Sequence, residues 1–293
     1  PTLTPPDLWS RLGIRPQPGP QEAFLRSEAD ITIYGGAAGG GKSFGLLLAP
    51  LQWSHVPGFG AVIFRRTTVQ VRAEGGLWDD SAEIYPALEA TPREQQLEWR
   101  FPSGAGVSFA HMEYERNRLD WQGSQICLIG FDELTHFTWR QFSYMFSRNR
   151  STCGVKPRIM ATTNPDADSW VAEFIAWWID PETGYPIPER AGRRRYFIQA
   201  GDELVWADSA EDLTARYPDA VPTSVTFIPA NLDDNPALTS KDPGYRARLM
   251  ALDRVERERL LNGNWKIRPV AGMYFRREWF EIVDQAPAVD IAV

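Results

Sequence analysis

Eight consecutive residues, Gly36-Ala37-Ala38-Gly39-Gly40-Gly41-Lys42-Ser43, constrain this chain more than any other stretch. They match G-x-x-x-x-G-K-[ST] without deviation. Glycines let the backbone curl until successive N–H groups point inward, which makes a nest for phosphate oxygens. The apolar run Ile31–Tyr34 precedes the loop as a strand. Phe44–Leu48 follows it as a helix, whose positive dipole end faces the same nest. In such a loop Lys42 neutralises the β- and γ-phosphates of ATP, and the Ser43 hydroxyl ligates Mg²⁺. The nucleotide-binding set is therefore Gly36, Ala37, Ala38, Gly39, Gly40, Gly41, Lys42, Ser43 and Phe44. By average residue usage the motif arises by accident in about one in a hundred chains of this size. The strand–loop–helix context lowers that figure further.

Such a loop needs an α/β sheet around it, and the rest of the chain supplies the runs. Ala61–Arg65, Val107–Ala110, Ile126–Phe131, Arg158–Thr163 and Val225–Ile228 are short and β-rich, and longer segments separate them. Several are apolar without alternation, as in parallel strands buried on both faces. Arg195–Gln199 and Glu203–Ala207 flank Ala200-Gly201-Asp202 and predict an edge β-hairpin. Pro243–Leu261 predicts one helix, with Pro243 in its first turn, Gly263 as its stop and Leu249, Leu252, Val255 and Leu260 on its buried side. Its five arginines read as a solvated face. The expected organisation is an N-terminal arm over 1–19, a P-loop ATPase domain with a C-terminal helical lid over 20–264, and a linker over 265–293.

At 293 residues and 43% hydrophobic content, the chain can bury a sizeable core. The formal net charge of −7 excludes a dedicated DNA-coating protein, so any nucleic acid is gripped locally, transiently or elsewhere. The two cysteines, Cys127 and Cys153, have neither metal spacing nor a disulfide framework and fit a reducing compartment. Cys127 lies in an apolar run and reads as a small core residue. Neither a signal peptide nor an apolar run of membrane-spanning length is found in the sequence.

Three further elements fit the loop. Ile126-Cys127-Leu128-Ile129-Gly130-Phe131 is an apolar strand ending in Asp132-Glu133. If it emerges at the nucleotide edge, Asp132 reaches the Mg²⁺ shell and Glu133 orients or deprotonates the attacking water. Many strands end in solvated acids. An intact P-loop about ninety residues upstream turns the pair into a catalytic one. The adjacent glutamate places the chain among P-loop NTPases of the additional-strand (ASCE) type, with a largely parallel central sheet flanked by helices. Arg158–Thr163 then runs into Asn164-Pro165. There Thr162, Thr163 and Asn164 would sense the γ-phosphate, or else simply terminate a strand. Near the start, Gln21 offers a donor and an acceptor suited to an adenine edge, or is an exposed helical glutamine.

These four elements, in this order and spacing, resemble the large terminase subunits of tailed phages. The later segments Ile228-Pro229-Ala230-Asn231-Leu232-Asp233-Asp234-Asn235-Pro236-Ala237-Leu238 and, after the arginine-rich helix, Leu260-Leu261-Asn262-Gly263-Asn264-Trp265 are similar to the end of the terminase ATPase region. The likeness spans roughly Pro20 to Phe280. It implies that Gln21 contacts adenine and that Thr162–Asn164 couples hydrolysis to movement. It also implies a homo-oligomeric ring on a capsid portal, driving double-stranded DNA into a procapsid in the host cytoplasm. A small terminase subunit would be a further partner, and no membrane is involved. The family's nuclease follows this region, and the sequence stops at Val293, so it reads as an ATPase piece without nuclease activity. Asp290 is not carried over as a metal ligand. Phosphoryl transfer in such motors commonly needs an arginine. Arg65 and Arg66 are candidates in cis. An arginine upstream of the acidic strand, Arg116 or Arg118, is the one the resemblance favours for reaching a neighbouring subunit. The competing expectations are a helicase- or recombinase-like ATPase and a nucleotide-gated assembly module without turnover.

Overall fold

The computed structural model describes residues 8–13, 15–201 and 203–268. Ten strands form one sheet: β1 Ile31–Gly36, β2 Gly60–Arg65, β3 Thr91–Arg93, β4 Glu98–Arg100, β5 Gly106–His111, β6 Leu128–Phe131, β7 Arg158–Thr163, β8 Arg194–Ala200, β9 Glu203–Ala207 and β10 Thr223–Ala230. Their spatial order is β3-β4-β5-β2-β6-β7-β1-β10-β8-β9. The run from β5 to β10 is parallel throughout. An antiparallel hairpin closes each edge. β7 lies between the P-loop strand β1 and the acidic strand β6, which is the extra-strand arrangement expected from the adjacent glutamate.

The central strands are buried on both faces because helices cover both. The period of two along each strand divides the core. On β2, Ile63 points to one side with Leu46, Leu47, Met160 and Phe109. Val62 and Phe64 point to the other, with Ile129, Phe131, Phe142 and Phe174. The first side is covered by the helices Pro20–Arg26, Lys42–Leu48 and Leu77–Ile84. The second is covered by Trp139–Tyr144 and Trp170–Phe174, where many of the chain's aromatic rings meet edge to face.

Four expectations change. The predicted arm contains a helix, Leu8–Leu12, whose Leu8 and Leu12 join the core. The hairpin β3–β4 was not predicted, since Thr91–Arg93 is short, fully exposed and carries a proline. The single helix over Pro243–Leu261 is two, Tyr245–Met250 and Arg254–Leu260. Asp253 breaks it by capping the second with its side chain, accepting from the Val255 and Glu256 N–H groups. Of the expected buried stripe, only Leu249 is buried. Trp265, placed at the first residue of the expected linker, is buried in the core edge to face with Phe227. The remainder of that linker from 269 onward, and Asp202 of the hairpin turn, lie outside the described residues.

Candidate active site

In a parallel sheet the loops at the carboxyl ends of the strands form the functional edge. Here β1, β6, β7 and β2 all end at one place. β1 runs straight into the P-loop. Gly36 has φ +140°, and a Cβ there would sit 2.3 Å from the Ala230 carbonyl oxygen, so no other residue fits. Gly41, in the left-handed region at φ +71°, caps the helix Lys42–Leu48.

Side chains from three elements hold the loop by its carbonyl oxygens. Tyr34 Oη donates to Gly40 O at 2.8 Å, Gln21 Nε2 to Gly41 O at 2.7 Å and Asn235 Nδ2 to Gly39 O at 2.8 Å. The Ala37 and Ala38 N–H groups are tied to Ala230 O and Leu260 O. The segment after β10 thus packs against the loop. Leu232, Leu238 and Tyr245 also lie within 3.1 Å of where a Cβ on Gly39 would be. The Lys42 ammonium is buried and donates to Ala37 O at 2.5 Å and Gly36 O at 3.4 Å. Burial pushes it down to about 8, against the upward pull of Glu133 and Asp132.

Gln21 is 1% exposed, so it is not the exposed helical glutamine of the alternative expectation. Both ends of its amide bond within the protein and brace the loop, since Oε1 also accepts from the Gln17 N–H at 2.6 Å. Phe44 packs half-buried against the core beneath the loop.

Asp132 is where the elements converge. It is fully buried. Its Oδ1 accepts from Ser43 Oγ at 2.9 Å and from Thr162 Oγ1 at 2.5 Å, which joins the P-loop, β6 and β7 through one atom. Its Oδ2 lies 2.6 Å from Arg65 Nε, an ionic contact off the line of a hydrogen bond. Glu133 sits in the left-handed region at φ 61°, a conformation that costs a non-glycine residue energy and redirects its side chain. Asn164 holds the carboxylate: Nδ2 donates to Oε1 at 2.8 Å and the backbone N–H to Oε2 at 3.3 Å. The Glu133 N–H donates to Thr162 Oγ1 at 3.3 Å. Thr163, also buried, donates to the Asn164 carbonyl at 2.9 Å.

The arginines separate. Arg65 is in the site. Arg66 fastens the Met112 carbonyl and the Gln141 side chain. Arg116 and Arg118 lie on the 3₁₀ helix Glu115–Trp121. Arg116 is exposed over the Tyr114 ring. Arg118 is half-buried, bonded to Glu115 and set over Tyr144. Tyr34, Asn235 and the Arg65–Asp132 pair were missed from sequence. Asn235 is 196 positions from its partner Gly39, and no spacing signals that.

The buried carboxylate and adjacent hydroxyl are hard oxygen donors, which suits a small divalent cation. Among the described residues no group of three or more His, Cys, Asp or Glu side chains could hold a metal by itself. A Mg²⁺ here would be completed by the nucleotide.

The sequence matches the family of the terminase large subunit, T4likevirus-type, N-terminal, over residues 33–282. The chain belongs to this family. The match is to the N-terminal region of that subunit. The fold is similar to the large terminase ATPase domain of Thermus phage P74-26, with a TM-score of 0.56 and 14% identity over 89% of this chain and 98% of that one. It is also similar to a large terminase from a thermophilic bacteriophage in complex with ADP, with a TM-score of 0.53 and 11% identity over 84% of this chain. The terminase described here spans 53% of that second chain. Among curated protein sequences there is no significant match. No helix among the described residues is long and apolar enough to cross a membrane.

Proposed function

We propose that this chain hydrolyses ATP with the residues gathered around Asp132 and uses the cycle to translocate double-stranded DNA into a procapsid. The carrying observation is the single carboxylate oxygen that accepts from both Ser43 and Thr162, beside a Glu133 held by Asn164. Lys42 and the P-loop N–H groups other than those of Ala37 and Ala38, which are tied to Ala230 O and Leu260 O, bind the phosphates. Ser43 and Asp132 would hold Mg²⁺, which when bound draws charge off the β- and γ-phosphate oxygens. Glu133 orients the attacking water and takes its proton as the water oxygen joins the γ-phosphorus and the bond to the β-phosphate oxygen breaks. Arg65 adds positive charge at the same edge. Thr162 and Asn164 touch both acids, so a change at the γ-phosphate passes directly into β7.

The partners we assign are DNA, a portal on the procapsid, a small terminase subunit and further copies of this chain in a ring, all in the host cytoplasm. The domain we assign to this work runs from about residue 20 through the buried Trp265.

Glu133→Gln tests the chemistry, because the amide keeps the shape but cannot act as a base. We expect near-normal ATP binding with phosphate release lowered about a hundredfold or more. Equal loss of binding would make Glu133 structural. Stimulation by portal-bearing procapsids, rather than by single-stranded DNA, separates the packaging role from a helicase-like one.

A further inference from the structure

The two cysteines, 26 positions apart, meet at the end of the sheet opposite the nucleotide site. Cys127 immediately precedes β6, whose far end carries Asp132, and Cys153 lies in the loop that leads into β7. Their Sγ atoms are 3.3 Å apart and both are free thiols. A disulfide requires them to approach by only about 1 Å more. Their surroundings differ. Cys127 is 4% exposed, whereas Cys153 is half-buried with solvent access. The Ser151 hydroxyl lies 3.4 Å from Cys153 Sγ and also accepts from the Cys153 N–H.

We propose that Cys127 and Cys153 form a peroxide-responsive dithiol site, in which Cys153 is attacked first and Cys127 resolves it to an intramolecular disulfide. The accessible Cys153 thiolate attacks one oxygen of hydrogen peroxide. An S–O bond forms, the O–O bond breaks, and the departing oxygen leaves as water with the proton Cys153 gave up. Cys127 then attacks the Cys153 sulfur. The S–S bond forms, the S–O bond breaks, and the Cys127 proton leaves in a second water. Two thiols and one peroxide thus give one disulfide and two waters.

The order of attack follows from the microenvironments. Burial raises the Cys127 thiol above its ordinary range. Burial acts the same way on Cys153, but contacts from the Ser151 hydroxyl, the Val155 and Cys153 N–H groups and Cys127 outweigh it and bring the thiol down. No third metal-ligating side chain groups with the pair among the described residues, so oxidation, not metal capture, is the chemistry the site supports. The closed loop would contain Asp132, Glu133 and the helix Trp139–Tyr144. The cross-link itself lies at the other end of β6 from Asp132.

The test uses the chain as it stands, treated with a few-fold molar excess of hydrogen peroxide. Intact mass should fall by two hydrogens. Peptide mapping without reductant should recover a dithiothreitol-sensitive link between Cys127 and Cys153. The thermal midpoint should rise by a few degrees, because the link constrains the unfolded chain. In Cys127→Ser, dimedone should trap a sulfenic acid at Cys153. In Cys153→Ser, Cys127 should stay a thiol. Two thiols still titrating after exposure, a link only between separate chains, or dimedone on Cys127 in the unsubstituted protein would each overturn the proposal. The mapping of the unsubstituted protein decides the matter even if a serine variant folds poorly.

Discussion

Glu133 shows how much of the site one residue's surroundings decide. The sequence identifies it by position, one residue after an aspartate at the end of an apolar strand. What it does not reveal is that Glu133 is held at positive φ and that Asn164 donates to both of its carboxylate oxygens. Asn164→Ala removes the side-chain bond and leaves the backbone one. The carboxylate then loses its orientation more than its charge. We expect ATP affinity near that of the unsubstituted chain and turnover lowered about ten- to a hundredfold, the usual worth of a positioned base. Single-turnover phosphate release with a separate nucleotide-binding measurement checks this, and unchanged turnover would leave Asn164 as no more than a strand terminator. Lys42→Ala should abolish hydrolysis, since nothing else in the loop carries charge to the phosphates. Phosphate release near the parent rate would remove the P-loop assignment. The loop and the acidic pair were legible because their geometry permits few residue types. Tyr34 and Asn235 were not, because a side chain gripping a loop carbonyl leaves no local pattern.

At the level of elements, the central strands were legible because burial on both faces forces unbroken apolar runs. The exposed β3–β4 hairpin carries no such constraint. The break between Tyr245–Met250 and Arg254–Leu260 had a local signal, an aspartate three residues before a glutamate, which competed with the arginine-rich helical pattern. Contacts between elements were invisible, and Asp30 is a clear case. It sits just before β1, and its carboxylate accepts from the Ser224 N–H at 2.8 Å and from the Ser224 hydroxyl at 2.6 Å, at the start of β10. Lys156, in the loop before β7, lies 2.7 Å away. Burial acts to raise the Asp30 carboxyl, but Lys156 and Ser224 outweigh it and hold the group below the usual 3.8. A depressed folded-state value means stability that is present above the unfolded value and lost as pH falls through the folded one. Asp30→Asn should therefore cost about 1 kcal/mol near neutral pH, discounted because the side chain is about a third exposed. It should also flatten the decline of stability below about pH 4. Urea midpoints measured across that range check both, and an identical acid slope in the two proteins would mean that Asp30 is not the titrating group.

For the whole molecule, the family was legible in two short polar segments, Asn231–Pro236 and Leu260–Trp265. The structure gives those segments a physical reason: they pack on the P-loop and close the core. The ring is a different matter, because the surface of one subunit must be read for a partner. The spacing left Arg116 and Arg118 equivalent as trans-acting arginines. Their environments separate them. Arg118 is engaged by Glu115 and Tyr144, whereas Arg116 is exposed, set over the exposed ring of Tyr114. Arg65 already touches Asp132 of its own subunit. We expect Arg116 to serve a neighbour's pocket, a contribution worth about a thousandfold or more in turnover where such fingers act. The isolated chain should then hydrolyse ATP slowly, with a rate per subunit that rises with concentration. Arg116→Ala and Glu133→Gln should each be inactive alone. Mixed, they should recover activity, because the arginine of the Glu133→Gln subunit can reach the intact pocket of the Arg116→Ala subunit. Arg65→Ala should also be rescued by no arginine from outside, since its partner lies in the same chain. If the per-subunit rate is flat with concentration and mixing restores nothing in assembled motors, Arg116 is a surface charge and Arg65 is the arginine that acts, within its own subunit.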